Sequence, residues 1–96
     1  MQNELIQYVR NRKNQRVGVV LATTAMFEGK VQIGIGWSMA KTKMDTFDKE
    51  RGLQIARGRA KEGTSTQVPR SIDPLYRQMI NRAVGYWKEV PLRYTF

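Results

Sequence analysis

The chain has 96 residues, enough for one small domain spanning 1–96 and too few for two. Its 17 Lys and Arg against 8 Asp and Glu leave a formal charge of +9, and 41% of its residues are hydrophobic, as in ordinary folded polypeptides. With no His and no Cys, disulfide staples, Cys- or His-ligated zinc, cysteine nucleophiles, Ser-His-Asp triads and imidazole acid–base catalysis are excluded.

In chain order, residues 2–13 read as a short helix. Leu5, Ile6, Tyr8 and Val9 share one side at 100° per residue, and Arg10, Arg12 and Lys13 fall in the last turn, where the helix dipole favours cations. Arg16 to Ala22 is a strand by its valines. Thr23 to Lys30 forms a turn bent at Glu28-Gly29. Lys30 to Met39 carries the cleanest alternation in the chain: Val31, Ile33, Ile35, Trp37 and Met39 against Gln32, Gly34, Gly36 and Ser38. The two runs make an antiparallel hairpin. A basic linker, Lys41 to Met44, leads to a helix at 47–61 capped by Asp45 or Thr46, with Asp48 and Glu50 in its first turn. A polar loop at 62–72 precedes the final helix, 74–89, with Asp73 as N-cap and Pro74 at the first helical position. Leu75, Tyr76, Met79, Ile80, Ala83, Val84, Tyr86 and Trp87 make its apolar half, and Pro91 stops it. The tail, Leu92 to Phe96, adds a short strand or an apolar end. The expected fold is α+β: a small antiparallel sheet covered by helices, the last helix having the widest apolar face.

No apolar run reaches the ~18–20 residues of a membrane span. Val17 to Phe27 lies behind Arg10, Arg12, Lys13 and Arg16 in the manner of a signal peptide, but Gly18, Thr23 and Thr24 interrupt it and its β-branched residues suit a strand. Gly34-x-Gly36 lacks the third glycine of a dinucleotide fingerprint, Met39 standing in its place. Ser38-Met39-Ala40-Lys41 matches S-x-x-K without any of the other motifs that chemistry needs. Asp45, Asp48 and Glu50 could hold Mg²⁺ through oxygen ligands, yet Lys43, Lys49 and Arg51 beside them repel a cation, and helix capping accounts for them better. No catalytic residue, metal or cofactor is expected, and the chain reads as a binding module, not an enzyme.

The cations are more informative because they cluster. Arg10, Arg12, Lys13 and Arg16 fall within seven positions that contain no acid, while Arg57, Arg59 and Lys61 sit on the central helix. Together they are the candidate surface for DNA or RNA, since phosphate neutralisation with counterion release supplies most non-specific affinity and arginine forks fit phosphate. A solvated helix face needs no ligand, but +9 exceeds the magnitude of about 2–8 that keeps a small domain soluble. Gly34 and Gly36 leave a flat strand face that a base, a partner's chain or a helix could approach closely. The small face Gly52/Ala56/Ala60 of this same chain is the simplest match for it.

The order Gly34-Ile35-Gly36-Trp37-Ser38, then Asp45 through Ala60 (D-x-F-D-K-E-x-G-L-x-I-A-x-x-R-A), then Val68-Pro69-Arg70-Ser71-Ile72, resembles a group of small uncharacterised proteins of tailed bacteriophages. The similarity covers about residues 17–88; Met1 to Arg16 and Val90 to Phe96 lie outside it. It implies a phage product acting in the host bacterial cytoplasm and transfers no catalytic residue. The expected function is a non-catalytic nucleic-acid-binding accessory protein. The alternative is a phage-encoded inhibitor that docks on an acidic face of a host polymerase, nuclease or defence factor. A third reading is a homodimer in which the Gly-rich second strand, Lys30 to Met39, leaves an edge open to its symmetry mate.

Overall fold

The computed structural model describes residues 3–40 and 47–95. Strands β1 (Leu5–Arg10), β2 (Arg16–Phe27) and β3 (Lys30–Met39) form an antiparallel sheet in the order β1-β2-β3. Helices α1 (Lys49–Glu62) and α2 (Asp73–Tyr86) cover its two faces, and a two-residue parallel pair joins β4 (Thr64–Ser65) to β5 (Tyr94–Thr95). The architecture is α+β, as expected, and among the described residues no helix is long and apolar enough to cross a membrane.

The expected N-terminal helix at 2–13 is instead β1. Leu5 and Val9 pack into the cluster beneath α2 while Tyr8 packs beneath α1, so a strand apolar on both sides imitates helical spacing. The same two-sided burial explains β2, where Val19, Val20, Leu21, Ala22 and Thr23 are all essentially inaccessible. β2 also runs past the expected end at Ala22 to Phe27. Only Glu28 and Gly29, both at positive φ (51° and 79°), form the turn to Lys30, the geometry of a tight type I′ hairpin.

The two helix faces differ in kind. Under α2, the side chains of Val20, Ala22, Ile33 and Ile35 interdigitate with Ile72, Tyr76, Met79 and Ala83. Under α1, Gly34 and Gly36 lie against the backbone of Ala60 and Ala56: a Cβ on either glycine would collide with a helix carbonyl. The small helix face Gly52/Ala56/Ala60 therefore takes up the glycine face, and the Phe47 ring fills the space over Gly52.

Asp48 caps α1, its carboxylate accepting from the Glu50 and Arg51 amides at 3.0 and 3.2 Å. The expected caps, Asp45 and Thr46, the Lys41–Met44 linker and the terminal Phe96 lie outside the described residues. Asp73 does not cap α2. Ile72 holds that position without a side-chain bond, and Asp73 pairs with Arg77 at 2.9 Å one turn on. The helix ends at Tyr86, not 89. Tyr76 is buried and Trp37 and Trp87 are half-buried, but Tyr86, expected in the core, is 53% exposed and accepts a hydrogen bond from Asn3 at its hydroxyl.

Candidate nucleic-acid interface

The cations between Arg10 and Arg16 occupy the β1–β2 turn, and a single asparagine organises it. Asn11 Oδ1 accepts from the amides of Lys13 and Gln15 at 2.9 and 3.0 Å, and Asn11 Nδ2 donates to Gln15 Oε1 at 3.0 Å. The Asn11 amide donates to the Gln15 carbonyl at 3.0 Å, and Asn14 takes the left-handed conformation (φ 63°) that asparagine tolerates well. Arg12 and Lys13 thus stand exposed on a tightly bonded loop.

A register shift at Val9/Arg10 leaves Val17 without an opposite residue on β1 and sets Arg10 opposite Arg16. Bulges commonly re-aim side chains in this way. Like charges facing across a strand pair oppose folding. Two contacts hold them apart: Arg10 Nη1 donates to the Asn14 carbonyl at 2.9 Å, and the Arg16 guanidinium lies 4.7 Å from the centre of the Tyr8 ring. Among the described residues, no carboxylate pairs with Arg10, Arg12, Lys13 or Arg16.

The helix cations are placed differently. Arg57 reaches towards β1 and binds both Glu4 carboxylate oxygens, at 2.6 and 2.9 Å. This pairing holds the Glu4 carboxyl below its usual range and raises the Arg57 guanidinium, partial burial opposing both; the nearby charge of Lys61 also lowers Glu4. Two residues on, about 200° around the helix, Arg59 turns to the β3 edge. It donates to the Trp37 carbonyl at 2.8 Å and covers the Trp37 ring at 4.2 Å. Lys61 is exposed. The structure brings Arg10, Arg12, Lys13 and Arg16 together on one turn, and commits Arg57 and Arg59 to the fold on opposite flanks of α1.

Sequence reading missed the far end of the hairpin. There Arg93 lies 3.7 Å over the Phe27 ring and, with Glu28, Lys30 and Gln32, lines a shallow recess of about 240 Å³. Nothing in the local pattern around Arg93 signals this, because the chain's return past β3 creates it. Among the described residues no cluster of acids could hold a metal ion. The chain matches no protein family, no curated protein and no solved structure.

Proposed function

We propose that the protein is a non-catalytic nucleic-acid-binding module whose contact surface is the β1–β2 turn, with Arg10, Arg12, Lys13 and Arg16 on phosphates. The observation that carries this reading is a hydrogen-bonded loop presenting those cations without carboxylate partners among the described residues, at a site where their mutual repulsion opposes folding. Arg10 spends one N–H on the Asn14 carbonyl and Arg16 lays its guanidinium plane on Tyr8, and both residues keep further N–H donors at the surface. Tyr8 is covered by Arg16 and Trp37 by Arg59, so neither ring face offers a stacking platform for bases. Binding is accordingly backbone-directed and tolerant of sequence. The resemblance to phage proteins supplies the setting, the cytoplasm of an infected bacterium.

Fluorescence anisotropy on duplex and single-stranded oligonucleotides tests this. If about four phosphates are neutralised, log affinity for duplex falls with log salt at a slope near −3.5. Replacing Arg12 and Lys13 by alanine reduces that slope by about 2, whatever the sequence. Absent binding at low salt on both nucleic acids, with capture of one acidic host protein that survives nuclease, would support the inhibitor reading instead.

A further inference from the structure

The sheet's two edges are finished differently. Along β3, Ile33 donates to the Pro91 carbonyl at 2.8 Å and accepts from the Arg93 amide at 2.9 Å. The Ile35 amide donates to Thr64 Oγ1 at 3.2 Å, the Tyr76 hydroxyl donates to the Ile35 carbonyl at 3.0 Å, and Arg59 closes the Trp37 carbonyl. That glycine-rich strand, the sequence's candidate for an open edge, is thus occupied at Ile33, Ile35 and the Trp37 carbonyl. β1 forms the other edge, and among the described residues no strand lies beyond it.

The polarity of that edge follows from the register. Ile33, Ile35 and Trp37 turn their main-chain groups outward, so their partners Thr24, Ala22 and Val20 turn theirs towards β1. Leu5 and Gln7 sit opposite Ala22 and Val20 and take up those bonds. Ile6 and Tyr8 therefore point their N–H and C=O groups outward. The Tyr8 carbonyl meets only its neighbour, the Gln7 side-chain amide, at 3.3 Å. Unpaired edges of this kind are templates for another strand. Ile6 is 37% exposed there.

The segment Glu4-Leu5-Ile6-Gln7-Tyr8-Val9-Arg10 is complementary to its own reverse about Gln7. We propose that β1 pairs antiparallel with β1 of a second copy, across a two-fold axis at Gln7, making one continuous sheet. In this register Ile6 meets Tyr8 of the second copy, and both present outward main-chain groups to form the ladder. Leu5 meets Val9, Gln7 meets Gln7, and Glu4, which also holds Arg57 of its own chain, meets Arg10, so apolar faces apolar, amide faces amide and acid faces base. A shift of one residue sets outward groups against inward ones. A shift of two opposes Arg10 to Ile6 and Gln7 to Val9, or Glu4 to Tyr8 and Leu5 to Gln7, losing the charge pair either way. The fit selects one register and a closed two-fold pair.

Because each chain carries +9, the pair tightens as salt rises, opposite to nucleic-acid binding, so the two readings fail separately. The cysteine-free chain permits a direct test with single-cysteine variants. Opposed residues of a non-hydrogen-bonded antiparallel pair have Cα atoms about 4.5 Å apart, within disulfide reach. Exposed Gln7→Cys is expected to give a disulfide-linked dimer under oxidised glutathione many times faster than Ile6→Cys or Tyr8→Cys. Analytical ultracentrifugation of the unmodified chain is expected to give a monomer–dimer equilibrium, which Arg10→Glu weakens by about tenfold or more. A strict monomer at every accessible concentration, or fastest cross-linking at Ile6 or Tyr8, overturns the proposal.

Discussion

Two helices of 14 residues each cover the same sheet in opposite ways. α2 is held by side chains, with Ile33, Ile35, Tyr76 and Met79 filling the space between helix and strands. α1 sits closer to β3, its carbonyls resting where that strand carries Gly34 and Gly36, while Val19 and Leu21 of β2 pack against Ala56 and Ala60. The comparison teaches that a strand buried on both faces can encode two packing distances at once, large residues on one side and glycine on the other.

Neighbouring substitutions break the comparison most sharply. Gly36→Ala drives a Cβ into the Ala56 carbonyl and within 2.5 Å of the Ala60 nitrogen, backbone atoms that cannot rotate away. The expected loss is about 3 kcal/mol or more, at the upper end for overpacking, and urea unfolding measures it. Next door, Ile35→Ala opens a cavity on the α2 face, costs about 2–5 kcal/mol and leaves α1 seated.

Tyr76 ties the α2 face to the sealed edge, its hydroxyl donating to Ile35 and accepting from the Ser65 amide at 3.0 Å. Tyr76→Phe leaves both groups wanting a partner and costs about 1–3 kcal/mol. Burial pushes the Tyr76 hydroxyl up to about 12 from its ordinary 10.0, so folding favours the neutral phenol. That stability is fully present below pH 10.0 and is lost as pH rises through about 12. In Tyr76→Phe this part of the alkaline loss disappears from melting curves recorded across that range.

The smallest effect refines the α1 face. Thr23 lies opposite Gly34, and its buried hydroxyl has no hydrogen-bond partner among the described residues. Thr23→Val keeps the shape, removes that cost and is expected to raise stability by up to ~1 kcal/mol, read as a higher thermal midpoint.

The hairpin, both helices and the match between Gly34/Gly36 and Gly52/Ala56/Ala60 were legible in the sequence, because alternation in β3 and wheel asymmetry in α2 are strong local signals. β1 was not. Leu5 and Val9 serve one face and Tyr8 the other, so its period of two vanishes into an apolar cluster that imitates a helix turn. The α1 cap was displaced for a related reason: several acids and a threonine precede the helix, and only backbone geometry selects Asp48. At the candidate site, the grouping of Arg10, Arg12, Lys13 and Arg16 was visible as an acid-free run, whereas the commitment of Arg57 to Glu4 depends on a residue 53 positions away.

Amide chemical-shift mapping by NMR during titration with a short duplex tests the central claim directly. Shifts concentrated at residues 10–16, with the α1 amides from Arg57 to Lys61 nearly still, are the predicted result. Shifts centred on α1, or none at the β1–β2 turn, would contradict it.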